Sequence, residues 1–174
     1  MTNYLLDRGH KNIGFVGTRL MTPSIDDRFF GYLKALMERG IKYRADWIID
    51  DRDNIYGKMN YDRQFILPKE VPTAFFCNCD KAASLIIRKL EEAGYSVPGD
   101  VSVVGFDNFE YDQEADIGIT TYEINIGEMA KRAVHIMLHK MQNALYSAGV
   151  FSIQGKIIER ESVKKIGKSV PYAK

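Results

Sequence analysis

The sequence is poor in cysteine and contains no long run of apolar residues. Its 174 residues include two cysteines, Cys77 and Cys79. Side chains separated by one residue point to opposite faces of a strand, so a disulfide between these two is not expected. Residues 1–10 carry Asp7 and Arg8 without an apolar stretch. We therefore expect neither a signal peptide nor a membrane span, and we predict a cytoplasmic protein with reduced thiols.

The chain also lacks an excess of either charge. Lys and Arg together number 24, Asp and Glu number 23, and the net charge is +1. Such a surface has no broad positive field to hold a nucleic-acid backbone, so we do not expect this chain alone to bind DNA. The one basic cluster lies in residues 164–174, which we interpret as a solvated tail without a function of its own.

Sequence signatures of catalysis are missing as well. There is no G-x-S-x-G elbow, no phosphate loop ending in Gly-Lys-Ser/Thr and no dinucleotide fingerprint, so we predict neither an enzyme nor a cofactor. His135 and His139 have helical spacing but no third zinc ligand, and exposed surface histidines explain them better. A magnesium ion among acidic residues is another alternative, for which a solvated loop is the better interpretation: Asp107, Glu110, Asp112, Glu114 and Asp116.

What the sequence does contain is an alternation of short apolar strands and amphipathic helices. Strands are predicted at residues 11–17, 46–49, 73–77 and 102–106. Helices are predicted from a cap at Ser24 to a stop at Gly40, over residues 56–67, and over residues 80–93 with Asp80 as the cap. This order predicts a doubly wound α/β fold, a parallel sheet flanked by helices on both faces.

The pattern changes after residue 121. Asn125 and Glu128 form a variant of the capping box, and apolar residues then recur at helical spacing, which predicts one long amphipathic helix over residues 125–148. A Gln154–Gly155 turn between residues 150–153 and 156–161 predicts a hairpin or strand pair.

Polar side chains cluster where the predicted strands end. Ligands of an open parallel sheet bind beyond the carboxyl ends of its strands, because loops and helix amino termini converge there. The rim residues include Ser24 and Arg28 after the first strand, Arg52 after the second, Cys79 and Asp80 after the third, and Asp107 and Asn108 after the fourth.

Arg28 and Asp107 form the most informative pair in this set. A guanidinium and a carboxylate together can bind a vicinal diol or a carboxylated ligand, because one donates and the other accepts several hydrogen bonds. The alternative is that the two side chains only form an ion pair at the rim.

Five segments occur in order along nearly the whole chain. They are YLLDRGHKNIGFVG, SIDDRFFGYLKALMERG, TAFFCNCDKAA, GYSVPGDVSVVGFDN and IERES. Together they resemble the effector-binding domain of the LacI/GalR family of bacterial transcription regulators. The most specific of them is VPGDVSVVGFDN, which is followed by a Thr-Thr pair.

The resemblance implies a periplasmic-binding-protein-like sensor of two lobes. In that family a small-molecule effector, most often a sugar, binds in the cleft between the lobes, and a helix-turn-helix headpiece ahead of them binds DNA. We expect residues 1–163 to be the carboxy-terminal lobe and residues 164–174 a tail, in a homodimer whose DNA contacts depend on a headpiece outside this chain.

The resemblance also implies site residues. By position, Arg28 in DRFFG matches the family's effector-binding arginine, and Asp107 in GFDN matches its sugar- or base-binding aspartate. Cys79 stands where the family often has an amide, and Arg52 lies near its aromatic stacking residue, which favours a ligand more polar than a stacked pyranose. The predicted effector-binding set is Arg28, Asp107, Asp80, Cys79, Arg52, Ser24 and Asn108.

In relatives the long helix over residues 125–148 packs in the other lobe. Burying an apolar stripe of that size contributes on the order of several kcal/mol, so the stripe is not expected to stay in water. We predict that it folds back on this lobe or packs against another chain.

The alternative function is a solute-binding protein of a sugar transporter, which shares the fold. The GFDN and RES segments, the lack of an export signal and the two cysteines favour the regulator. An enzyme on the same fold is a more distant third possibility.

Overall fold

A four-stranded parallel sheet lies at the centre of the structure, a computed structural model that describes residues 1–53, 55–59, 63–109 and 117–172. Its strands are β1 (Ile13–Val16), β2 (Ile48–Ile49), β3 (Ala74–Cys77) and β4 (Ser102–Val104), in the order β2-β1-β3-β4. Every neighbouring pair in this sheet is parallel. The predicted parallel sheet is therefore confirmed, with β2 shorter than expected because residues 45–47 form a 3₁₀ turn.

Helices cover both faces of this sheet. On one face, α1 (Thr2–Asp7) and α2 (Pro23–Glu38) bury apolar side chains against β1 and β3, including a cluster of aromatic rings around Phe15. On the other face, α3 (Asp80–Glu92) packs its alanine, leucine and isoleucine side chains against Phe75 and Val103. The two apolar layers confirm the doubly wound α/β architecture.

The helix starts differ from those predicted. Thr22, not Ser24, caps α2, since its Oγ1 accepts a hydrogen bond from the Ile25 N–H at 3.3 Å. Pro23 follows at the first helical position, where its missing N–H costs nothing. At α3, Cys79 holds the cap position without a side-chain hydrogen bond, and Asp80 is the first helical residue.

The helix predicted over residues 56–67 is wrong for the part of that segment that the structure describes. Residues 55–59 and 63–67 contain no helix, and Phe65 has a φ of 60°. Phe65 is fully buried, while Tyr56 and Ile66 remain exposed. The apolar residues here do not form one helical face, because Phe65 is buried in the core while Met59 and Leu67 pack against the same core cluster from non-helical positions.

A two-stranded antiparallel ribbon continues from the β4 edge. It pairs β5 (Thr121–Glu123) with β6 (Lys156–Ile158). The predicted strand pair around Gln154–Gly155 is therefore wrong, because the partner of β6 precedes the long helix instead of following it. Bridges from Val104 to Thr120 and from Asp107 to Glu123 join this ribbon to the end of β4.

The long helix α4 (Ile126–Gln142) projects from the lobe. Asn125 caps it as predicted, with its Oδ1 accepting from the Glu128 N–H at 3.0 Å. The helix ends earlier than predicted and contains no buried residue, so the prediction that it folds back on the lobe is wrong. Its exposed apolar face consists of Ile126, Met129, Val134, Met137, Leu138 and Met141. Across the described residues, no helix is both long and apolar enough to cross a membrane.

The segment after residue 163 is not a solvated tail. The Ile166 N–H donates to Arg8 O at 2.9 Å, and the Val170 N–H donates to Leu6 O at 3.0 Å. Val170 is buried, and the Arg39 guanidinium lies over the Tyr172 ring at 4.0 Å. This segment packs along α1. The prediction of a solvated tail rested on the lysines of the segment, and lysines alone do not indicate such packing.

His10 connects three parts of the chain. It is fully buried, with Nδ1 3.1 Å from Thr73 Oγ1 and Nε2 3.0 Å from Lys164 O. A carbonyl oxygen only accepts, so the neutral ring carries its proton on Nε2. Nδ1 then faces the Thr73 hydroxyl, whose single proton is also within reach of Asn12 O at 3.0 Å. Burial lowers the pKa of His10, which keeps the ring neutral at physiological pH.

This buried histidine makes the stability pH-dependent. The unfolded chain takes up the proton near the ordinary pKa of 6.5, while the folded chain does so only at lower pH. The free energy of unfolding should stay constant above about pH 6.5. At lower pH it should decrease, by at most about 1.4 kcal/mol per pH unit. Urea unfolding measured from about pH 8 to about pH 5 should show the decline. His10→Gln should remove the part of this decline that is due to protonation of His10. His135→Gln, which changes an exposed histidine, is the control and should leave the decline in place. Equal pH slopes for the wild type and both variants would contradict the role of His10.

Candidate functional site

Arg28 and Asp107 meet at the carboxyl edge of the sheet. Arg28 lies on α2, Asp107 follows β4, and Arg28 Nη2 is 3.1 Å from Asp107 Oδ1. The other terminal nitrogen, Nη1, donates to Asn78 O at 2.8 Å, and the guanidinium carbon lies 4.1 Å from the centre of the Phe106 ring. Two loops, after β3 and after β4, therefore fix one guanidinium. The predicted pair is close in space, while its role in binding an effector stays a prediction.

Both members of this pair keep capacity for a ligand. Their side chains are 19% and 21% exposed, and among the described residues the second oxygen of Asp107 accepts no hydrogen bond. Burial raises the pKa of Asp107, although the Arg28 charge partly opposes that change. Arg28 has five N–H groups, of which the structure uses two. The pair can thus donate to one ligand oxygen and accept from a neighbouring hydroxyl or N–H.

Asp51, at the end of β2, is the buried centre of the neighbouring loops. Its Oδ1 accepts from the Thr18 N–H at 2.9 Å, and its Oδ2 accepts from Asn78 Nδ2 at 2.8 Å. Arg52 adds two hydrogen bonds, from Nε at 3.1 Å and from Nη2 at 2.7 Å. Because Asn78 also accepts from Arg28, one continuous network runs from Arg52 to Asp107.

The electrostatics of Asp51 follow from these contacts. Burial alone raises the pKa of Asp51, but hydrogen bonds from Arg52, Asn78 and Thr18 outweigh it and leave the pKa below its ordinary value. The Asp51 hydrogen bonds raise the pKa of Arg52 in turn. Both groups are therefore charged at neutral pH. Asp51 and Asn78 lie in the predicted rim loops, but the sequence did not show that their side chains are buried.

Asp80 and Asn108 have partners within the protein. Asp80 is 8% exposed, its Oδ1 accepts from Thr121 Oγ1 at 2.6 Å and its Oδ2 accepts from the Phe109 N–H at 3.0 Å. Asn108 donates from Nδ2 to Glu123 Oε1 at 2.9 Å and accepts from Arg160 at 2.7 Å. Each Asp80 oxygen thus accepts one hydrogen bond from within the fold, while the role of Asp80 in binding an effector stays a prediction.

Cys79, Ser24 and Arg52 differ in their access to solvent. Cys79 is buried, and burial raises the pKa of its thiol to about 11, so it stays protonated. Both cysteines are free thiols, as predicted. Ser24 is exposed on the first turn of α2, with its hydroxyl 3.0 Å from Thr22 Oγ1. Arg52 is partly exposed beside the Asp51 network.

Three shallow cavities follow the carboxyl edge. The first, about 440 Å³, is lined by Ser24, Asp27, Arg28 and Phe106 together with the start of α1. The second, about 460 Å³, includes Arg52, and the third, about 400 Å³, lies between Thr18 and Phe30. Each volume falls within the range of about 300–1,000 Å³ that small-molecule pockets occupy.

A metal centre has little support in this part of the molecule. Within the described ranges, no group of three or more histidine, cysteine or carboxylate side chains could hold an ion. His135 and His139 are exposed, with ring centres 4.4 Å apart. Of the acidic residues considered for magnesium, Glu110, Asp112, Glu114 and Asp116 lie outside the described residues.

Known proteins are similar to this chain over most of its length. Residues 2–163 match the family described as periplasmic binding protein-like domain. HTH-type transcriptional repressor PurR from Photobacterium profundum is 30% identical over 165 residues, which cover 95% of this chain and 49% of the relative. The chain thus spans about half the length of the curated relatives it matches.

Solved structures show the same fold. A LacI-type transcription regulator from Bifidobacterium animalis subsp. lactis has a TM-score of 0.75 at 26% identity, covering 94% of this chain and 62% of that one. The complex of the transcriptional regulator CelR with cellobiose has a TM-score of 0.78 at 21% identity, covering 92% and 49%. The second likeness concerns the fold alone.

Removing the Asp51 carboxylate tests the buried network. Asp51→Ala leaves Arg52, Asn78 and the Thr18 N–H without their acceptor, and breaking a buried pair in this way costs about 3–5 kcal/mol. Asp50→Ala is the matched control, because Asp50 is adjacent but exposed, and it should change stability by less than about 0.5 kcal/mol. Urea unfolding measures both. Equal losses for the two variants would show that the network does not hold the loops.

Proposed function

The chain belongs to the family of periplasmic-binding-protein-like domains, and on that premise we propose that it is the effector-sensing module of a bacterial DNA-binding transcription regulator. The observation that carries the proposal is the Arg28–Asp107 pair, 3.1 Å apart at the carboxyl edge of a parallel sheet. The relatives support it, since they include a transcriptional repressor and a LacI-type transcription regulator.

The proposed ligand is a small polyhydroxylated molecule, a sugar in the first instance. A sugar hydroxyl donates to the free oxygen of Asp107, and an adjacent hydroxyl oxygen accepts from the unused N–H groups of Arg28. Phe106 and Asn78 hold the guanidinium in place, so little side-chain freedom is lost on binding. A nucleobase offers a similar pattern of donors and acceptors and is the alternative ligand class.

Sensing requires that the ligand bind one conformation better than another. In the proposed regulator, residues 1–163 form one wall of a cleft, and the ligand favours the closed arrangement of two lobes. DNA binding belongs to a separate helix-turn-helix headpiece, in the cytoplasm, and its affinity for DNA changes with lobe closure. Because one wall supplies only part of the contacts, we expect weak binding by this chain alone.

A transport role and a catalytic role are less well supported. The named relatives are regulators of transcription, not solute-binding proteins or enzymes. The rim residues that the proposal uses are an ion pair and hydrogen-bonding amides, without an activated nucleophile among them.

A thermal-shift panel tests the ligand site. D-glucose, D-galactose, D-ribose and cellobiose represent sugars, and adenine and guanine represent nucleobases. A compound present at about 100 times its Kd should raise the Tm by about 5–10 °C. Arg28→Ala should abolish that shift, because it removes the donor that faces Asp107.

The matched control for this variant is Arg44→Ala. Arg44 also pairs with carboxylates, those of Asp46 and Glu70, but it precedes β2 and so lies near the opposite edge of the sheet. Arg44→Ala should keep the ligand-induced shift. A shift that survives in Arg28→Ala, or the absence of any shift across the whole panel, would contradict the proposed site.

We also propose that the apolar face of α4 packs against a second copy of this chain. The face is wide, lined by large side chains and exposed along its whole length, and a patch of that kind marks an interaction surface. Its opposite side carries His135 and His139, so the two sides differ sharply in polarity.

Sedimentation equilibrium tests this dimer. Met137→Lys places a charge in the centre of the apolar face and should raise the dimer Kd at least about tenfold. His135→Lys adds the same charge on the opposite side and should change it less than about twofold. A wild-type protein that stays monomeric at every concentration measured would rule out the dimer.

A further inference from the structure

The loop that carries Asp107 has an unusual backbone. Asp107 has a φ of 104° and Asn108 a φ of 51°. Residues other than glycine rarely adopt positive φ values, and they keep them only where the surroundings fix the conformation. The direction in which Asp107 points toward Arg28 therefore depends on what holds residues 105–109.

On one side, the segment that leads into β5 holds this loop. The Gly105 N–H donates to Thr120 O and the Asp107 N–H donates to Tyr122 O, both at 2.9 Å. These two bonds fix the backbone of the loop as far as Asp107. They hold the peptide before Asp107 by its N–H, and they leave the Phe106 carbonyl of that peptide and the Phe109 N–H to be bonded from elsewhere.

On the other side, one residue, Asp80, bonds to both of these backbone groups. The Asp80 N–H donates to Phe106 O at 2.9 Å, and Asp80 Oδ2 accepts from the Phe109 N–H at 3.0 Å. Asp80 thus contacts the residue before Asp107 and the residue after Asn108. Its Oδ1 accepts from the Thr121 hydroxyl at 2.6 Å, which ties α3, the loop and β5 together.

We infer that Asp80 is a positioning residue for the effector site, which sets the orientation of Asp107 by fixing both ends of the Asp107–Asn108 turn. This inference rests on the proposed function, in which Asp107 contacts the ligand. Asp80 acts through Asp107 in this inference, because its side chain is 8% exposed and each of its oxygens already accepts a hydrogen bond within the fold.

The chemistry at this position requires a carboxylate. Both groups that face the Asp80 oxygens are donors, an N–H and an O–H. An amide would present its own N–H₂ to one of these donors and lose that bond. The space is equally restricted, since a Cβ on Gly105 would overlap Asp80 Oδ1.

Amide hydrogen exchange tests the inference without any ligand. In Asp80→Asn, exchange at the Phe109 amide should accelerate at least about tenfold, while the Phe15 and Phe75 amides in the central strands stay unchanged. Asp100→Asn is the matched control, because Asp100 also accepts from a backbone N–H and a hydroxyl, those of Ser96, at a site remote from Asp107. It should leave the Phe109 amide unchanged.

A milder variant keeps the test informative if Asp80→Asn does not fold. Thr121→Val preserves shape and removes the hydroxyl that donates to Asp80 Oδ1 and accepts from the Asn108 N–H at 3.3 Å. It should also accelerate exchange at Phe109, and faster exchange at the Asn108 amide alone would report only the loss of the second bond. Unchanged exchange at Phe109 in the folded variants would overturn the inference. Equal acceleration across all strands would also overturn it, because that pattern reports general destabilisation.

A double-mutant cycle tests the link to binding, using whichever of the six panel compounds gives the largest thermal shift. Asp80→Asn should weaken binding at least about tenfold in the wild-type background and less than about twofold in the Asp107→Ala background. Equal losses in both backgrounds would show that Asp80 does not act through Asp107. If no panel compound binds the wild type, the proposed function fails, while the exchange experiment still decides the role of Asp80.

Discussion

The arrangement of the rim depends on the contacts of the Arg28 guanidinium. It joins α2 to the loop after β3 through Asn78 O and to the loop after β4 through Asp107, with Phe106 against its face. A single planar group with several donors can connect separate loops in fixed directions, which a flexible ammonium does less well. The same group keeps unused N–H donors, so in the proposed site structural and binding roles coincide at one residue.

Two carboxylates at this rim, those of Asp51 and Asp107, differ in burial and therefore in role. Asp51 is fully buried and accepts four hydrogen bonds, so its charge is compensated within the protein. Asp107 has one charged partner, partial exposure and a pKa raised by burial, so part of its hydrogen-bonding capacity is unused. Two chemically identical groups thus provide a fixed support and an available ligand contact.

The sequence predicted the parts of this structure that depend on local pattern or on the family's motifs. The four strands, the cap at Asn125 and the proximity of Arg28 to Asp107 follow from apolar runs, capping chemistry and the common edge of a parallel sheet. The helix over residues 56–67 and the strand pair at residues 150–161 failed because tertiary contacts decided them. Phe65 anchors the first segment, with Met59 and Leu67 packed against the same core cluster, and β5, distant in sequence, supplies the partner of β6. The support given by Asn78, Asp51 and Asp80 was equally hidden, since burial of a polar side chain leaves no trace in periodicity.

The positive φ values of Asp107 and Asn108 explain why so many hydrogen bonds converge on a short loop. Each such residue stores about 1–3 kcal/mol of strain, which a free loop would release by turning the carboxylate away. The backbone of β5 and the carboxylate of Asp80 prevent that release from opposite sides. For the proposed ligand, Asp107 is then an acceptor that is already oriented, and binding needs little further ordering of the loop. In the proposed sensor, this rigidity favours a closing movement over a local rearrangement as the response to the ligand.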